Sequence, residues 1–200
     1  MIGGRIQASD RPDFKNPETF HTITQNPQGA RIRVDINPGR KEFRYWRYMS
    51  PDGSSGNIAE LQFYRDTAFL NPQGQTIGTP GSYENKGDTF EKAFDNDPLT
   101  FFDGPRNDSC WIGIDFRQPV AVSAVGYIPR QDDNNVVPGQ IYELLYYGEE
   151  GWVSLGMQTP DDYFVEYEGI PENALLWLRN HSKGQEERIF THRGDHITWW

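Results

Sequence analysis

Cysteine is nearly absent: Cys110 is the only one among 200 residues. One thiol closes no intramolecular disulfide, so packing or a metal must hold the fold. The compartment stays open, because many exported bacterial proteins lack disulfides. No apolar run approaches the roughly 20 residues of a membrane-spanning helix. The opening MIGGRIQASD has neither the charged n-region nor the apolar h-region of a secretory signal, so an exported parent would be longer than this chain. Basic residues are also scarce, 19 against 29 acidic ones, for a net charge of −10. Nucleic acids and anionic membranes both reward clustered Lys and Arg, so neither is an expected partner; a neutral ligand or a cation fits better. No G-x-S-x-G, Cys–His signature or Walker loop occurs. Of the four histidines only His192 and His196 are loosely spaced for zinc, and the Gly194-Asp195 turn between them reads as a hairpin.

Aromatic residues, by contrast, make up 14% of the chain, and Gly and Pro number 20 and 14. Short strands and many turns follow from that mixture, not long helices. Strand-like runs fall at 31–36, 43–48, 58–64, 111–116, 120–128, 141–147, 152–157, 163–167 and 175–179, nearly all bounded by Gly, Pro, Asn or Asp. The Gly- and Pro-rich segment 71–86, NPQGQTIGTPGSYENK from Asn71, reads as a linker. Its two sides look related. FHTITQNP and RYWRYMS precede it with about the spacing of WVSLGMQTP and LWLRNHS after it, and each pair runs into a Gly turn and an acidic, apolar strand. The first copy has no counterpart of residues 88–128, so 1–70 reads as the second half of a domain. Such a half exposes apolar sheet and open edges, and extensive contact with the remainder must cover them.

The densest chemistry lies in FEKAFDNDPLTFFDG, residues 90–104. Asp95, Asn96, Asp97 and Thr100 crowd one turn with oxygen donors, which suits calcium and its six to eight oxygen ligands. The same residues also make an ordinary Asx turn that needs no metal.

From 87 to 200 the chain resembles a discoidin, or coagulation-factor type C, domain of the bacterial carbohydrate-binding branch. The resemblance is carried by AFDNDPLTFF, SCWIGIDFRQPVAVSAVGYIPR, WVSLG and LWLRNHSKGQEERIF. It implies an all-β fold: an antiparallel jelly-roll β-sandwich of the galactose-binding-like type, complete over 87–200, preceded by a half-sandwich of the same type over 1–70. It also implies no catalytic machinery, a structural calcium and sugar contacts at one end of the barrel. By position the metal would take oxygens from Lys92, Asp95, Asp97 and Thr100, completed by Glu187, with Glu186 close behind. Glu60 in NIAEL is the first copy's counterpart of that closing glutamate. It has no acidic turn in its own copy, and no calcium is expected there.

Sugar recognition needs an apolar ring face and planar polar groups for paired hydroxyls. Loop candidates are Phe102, Asp103 and Arg106, then Arg130 with Asp132, Asp133, Asn134 and Asn135, and finally Asn180 and His181. Arg130 is the best single candidate, because its fork spans adjacent hydroxyls; a salt bridge to Asp132 or Asp133 is the competing reading. Trp111, Trp152 and Trp177 read as core, Trp46 as half-exposed, and at least one of Trp199 and Trp200 should pack back on the domain. The resulting expectation is a glycan-binding, non-catalytic module of a larger secreted bacterial protein, at the cell surface, outside the cell or in the periplasm. The alternative is a spacer that docks neighbouring domains and binds no sugar, its loop side chains consumed by internal hydrogen bonds. A hydrolase with a carboxylate pair is a third reading, and no spacing in the sequence supports it.

Overall fold

The computed structural model describes residues 1–25, 27, 31–37, 39–131, 136–183, 188–194 and 196–200, with Arg188 and His196 as backbone alone. Its strands are β1 (Arg5–Ser9), β2 (Glu18–Thr22), β3 (Ile32–Asp35), β4 (Phe43–Met49), β5 (Gly56–Arg65), β6 (Ala68–Phe69), β7 (Gln75–Gly78) and β8 (Phe102–Asp103). They continue with β9 (Trp111–Val120), β10 (Ala124–Pro129), β11 (Tyr142–Gly148), β12 (Gly151–Gln158), β13 (Leu175–Asn180), β14 (Arg188–Arg193) and β15 (His196–Trp199). Helical structure among the described residues is confined to short 3₁₀ turns. The protein is all-β, and its strand pairs are antiparallel.

The chain divides into two compact units, Met1–Asp133 and Asn134–Trp200. In the first, one sheet runs β2-β1-β4-β9-β7 and the other β3-β10-β5-β6, with β8 added to β5. Side chains of both sheets share one core: Ile6, Trp46, Ile112 and Ile114 from one, Leu61, Phe63 and Val125 from the other. This is a sandwich-like arrangement, in which each fully buried aliphatic or aromatic side chain contributes about 1.5–3 kcal/mol.

That partition differs from the expected one. Segment 71–86 is no linker, because β7 pairs with β9, Ile77 opposite Gly113. Nor does 87–200 close on itself. Strand β9 lies between β4 and β7, with Ile114 opposite Trp46, and β10 pairs with β5, Tyr127 opposite Leu61. The physical reason is that β4 and β5 would otherwise present open edges, and the next two long strands of the chain, β9 and β10, pair with them. Trp46 is correspondingly fully buried, not half-exposed, and its Nε1 donates to the carbonyls of Phe43 and Val120 at 3.1 and 3.2 Å.

The second unit is a five-stranded sheet ordered β12-β11-β13-β14-β15. The hairpin read around Gly194 is present as β14–β15, Arg193 opposite His196. Segment 163–167 forms no strand; it is coil. Trp152 and Trp177 are half-buried, neither of them core, and their rings meet edge-on at 5.2 Å, with Tyr147 edge-on to Trp152 at 5.3 Å. Trp199 stacks against Phe190 at 4.9 Å while half its surface stays in solvent.

Candidate functional site

Strand β5 sets the geometry of the most unusual site. GNIAELQFYR alternates until a register shift opposite Ile128 and Pro129, which leaves both Ile58 and Leu61 in the core although they are three residues apart. Such a bulge re-aims the side chains around it. Glu60 lies in this stretch, 2% exposed, and neither carboxylate oxygen has a hydrogen-bond partner. The 3₁₀ turn Phe90–Phe94 packs on β5, and the loop behind it brings Asp95 and the N–H groups of Asn96 and Asp97 close to the carboxylate. Burial first, and the Asp95 charge second, push the Glu60 carboxyl up to about 8; the Asn96 and Asp97 N–H groups and Arg31 oppose this only in part.

The facing turn is wired as an Asx turn. Asp95 Oδ1 accepts from the Asp97 N–H at 3.0 Å, Asp97 Oδ1 from the Leu99 N–H at 3.0 Å, and the Asp97 carbonyl from the Thr100 N–H at 3.0 Å. Asn96 takes the left-handed backbone, φ 61°, which Asn tolerates better than most residues. Thr100 Oγ1 is the hub. It sits 3.0 and 2.9 Å from the two Asp95 oxygens and 3.2 Å from the carbonyls of both Lys92 and Asp97. A hydroxyl has a single proton to donate. Four acceptors therefore share one hydroxyl proton, with the Glu60 carboxyl nearby, an oxygen-rich arrangement a cation could enter. Lys92 Nζ is 3.6 Å from Asp95 Oδ2, and that side chain is 43% exposed.

Among the described residues no cluster of three or more His, Cys, Asp or Glu side chains is placed to hold a metal. The site offers the carboxylates of Glu60, from β5, and Asp95, from the turn, with a hydroxyl and two carbonyls; the Asp97 carboxylate is engaged by the Leu99 N–H. That donor set has no sulfur or imidazole, so it suits a hard cation such as calcium and does not suit zinc. The structure brings Lys92, Asp95, Asp97 and Thr100 together through these hydrogen bonds and places Glu60, for which no calcium is expected from its own copy, beside them. Glu187 and Glu186 lie outside the described residues. The signal for Glu60 was there, one carboxylate inside an otherwise buried strand, but its partner turn lies 35 residues later and on the far side of the supposed linker.

A rim of polar groups borders the same two elements. Arg130 Nη1 donates to Asp103 Oδ2 at 2.9 Å and reaches Asn57 Oδ1 at 3.4 Å, while its guanidinium lies 4.0 Å over the Phe101 ring. The Arg130 and Asp103 side chains are 27% and 14% exposed. Phe101 and Asn57 were not singled out from the sequence. Phe102 was, and it is fully buried: the missing side chains of Gly56 and Gly104 leave the space its ring fills, 2.5 and 2.9 Å from where their Cβ atoms would stand. A ring with no accessible surface cannot meet a ligand, so Phe102 is core. Arg106 is exposed and hydrogen-bonds the Asp108 carbonyl at 3.1 Å. Asp132 and Asn135, with Asp133 and Asn134, lie outside the described residues.

His181 belongs to the second unit and Arg130 to the first. Its Nε2 lies 2.8 Å from Glu143 Oε2, and hydrogen bonds from Ser154 and then His181 hold the Glu143 carboxyl below its usual range. Arg179 lies 4.0 Å from the same carboxylate and 4.9 Å over the Trp177 ring. Glu143 is thus the acceptor shared by Ser154 and His181, with Arg179 beside it. No protein-family model matches the sequence, and neither the curated proteins nor the solved structures give a match.

Proposed function

We propose that this chain is a non-catalytic carbohydrate-binding module of a larger secreted bacterial protein, with a calcium ion holding its binding rim in place. The observation that carries the reading is the buried, unpartnered Glu60 carboxylate facing the Lys92–Thr100 oxygens. Calcium would be held by Glu60, Asp95, Thr100 Oγ1 and the carbonyls of Lys92 and Asp97, and would add positive charge beside that of Lys92 Nζ. Because β5 precedes the turn, the closing half of the sandwich stands before its opening half. On this reading the first unit is a galactose-binding-like jelly roll in circularly permuted order, a rearrangement that compact domains tolerate.

Glycan would meet the rim of Phe101, Arg130, Asp103 and Asn57, whose ring and guanidinium offer an apolar face and a planar donor. Affinity at one such shallow site is modest and gains from multivalency. A second reading has one specific observation in its favour: Arg130 already bonds Asp103 and Asn57, as expected of a spacer that binds no sugar. A glycan array separates the two. The parent chain with calcium should retain specific glycans, and Arg130→Ala, compared below its own melting temperature because it also leaves the Asp103 carboxylate unpaired, should lose at least tenfold in retention. No retained glycan, or equal retention by Arg130→Ala, would leave the spacer reading.

A further inference from the structure

The second unit carries a groove that none of the above uses. Its volume is about 710 Å³, and its floor is one face of the sheet: Leu144, Leu176, Leu178 and Phe190. Its wall is coil, with Val165 and Tyr167 half-buried on the inside and Glu166 and Glu168 exposed beside them. This wall is anchored through side chains, the Tyr167 hydroxyl donating to the Tyr142 carbonyl at 3.1 Å and the Gln158 amide donating to the Glu166 carbonyl. Residues 164–170 make no backbone–backbone hydrogen bond among the described residues. A coil whose backbone groups, the Glu166 carbonyl apart, lack main-chain partners and whose side chains alternate in burial beside an apolar groove has the form of a β-addition site, where main-chain bonds provide affinity and alternate side chains provide selectivity.

The charge pattern selects the occupant. Residues 134–200 contain eleven acidic side chains against four Lys or Arg, and the two charged carboxylates at the groove are Glu166 and Glu168. Phe164, 54% exposed, and Trp199, 52% exposed, add apolar surface in the same unit. A purely apolar ligand would leave Glu166 and Glu168 unanswered, and an acidic one would be repelled. We propose that this groove receives an extended peptide segment in which apolar and basic residues alternate, the apolar side chains entering against Leu178 and Phe190 and the basic ones meeting Glu166 and Glu168.

The test uses the full chain, methyl-labelled at leucine, and three blocked octapeptides: alternating Lys-Leu, alternating Glu-Leu and alternating Lys-Ser. Lys-Leu should bind at least tenfold more tightly than either control, with shifts concentrated at Leu144, Leu176 and Leu178. The doubly substituted E166K/E168K chain alters only exposed side chains and should keep its melting temperature. Its preference should invert toward Glu-Leu. Equal binding of Lys-Ser would reduce the effect to bare charge and overturn the proposal. So would equal binding of Glu-Leu, shifts elsewhere in the chain, an unchanged preference in the charge-reversed chain, or groove signals that change with protein concentration before any peptide is added, which would mean a second copy occupies the groove.

Discussion

Replacing Glu60 by Gln isolates the physics of the turn, because the amide keeps the shape of the side chain and removes its titration. In the parent chain without divalent cation the carboxyl is pushed from 4.5 up to about 8. A raised folded-state pKa means that the folded protein holds a proton the unfolded chain has lost. The associated stability is fully present below the unfolded value and disappears as pH rises through the folded one. Each unit of pKa difference corresponds to about 1.4 kcal/mol. From pH 5 to pH 8 the loss is therefore on the order of 4 kcal/mol as an upper bound, or about 2–3 kcal/mol once the pocket relaxes. At about 3–5 °C per kcal/mol for a unit of this size, the melting temperature in chelator should fall by roughly 10 °C across that range. Glu60→Gln should flatten this component, so the difference between the two profiles is the measurement. Millimolar calcium at pH 8 should raise the parent's melting temperature and leave Glu60→Gln where it was, since a ligand stabilises only the state that binds it. Parallel pH profiles for the two proteins, or a full calcium response in Glu60→Gln, would refute the argument from this carboxylate.

Two further outcomes follow from the core. Phe102→Ala should cost about 3–5 kcal/mol in chemical denaturation, as expected for a buried ring that leaves a cavity; a near-neutral effect would return Phe102 to the ligand rim. Gly113→Ala places a methyl 2.2 Å from the Trp46 carbonyl in the middle of the β4–β9 pairing. The backbone has little room to give, so a loss of about 1–3 kcal/mol is expected by the same assay, and wild-type stability would refute this close approach of β4 and β9.

Local patterning identified most of the strands. RYWRYM, WIGIDF and YELLYYG alternate or run apolar between turn residues, and each became β4, β9 or β11. FVEY alternates too, yet its region is coil, because alternation marks a side that can be buried and does not supply a neighbouring strand to pair with. The short strands β1, β2, β6, β7 and β8 carried no periodic signal long enough to stand out.

The acidic turn shows the same division. Its Asx bonds close between residues two to five apart, so DNDPLT was sufficient to specify them. Which glutamate faces the turn depends on sheet pairing, and two strands of similar composition, NIAEL and QEERIF, competed for that place in the sequence. Residue types and their spacing alone determined that this protein would be all-β, acidic, free of disulfides and furnished with an oxygen-rich bend. Tertiary structure decided that β5 would lie beside that bend, that Arg130 would fold onto Phe101 and Asp103, and that the chain would divide after the tenth strand. Those choices turn on which open strand edge each segment meets, a contact between distant residues that no local pattern encodes.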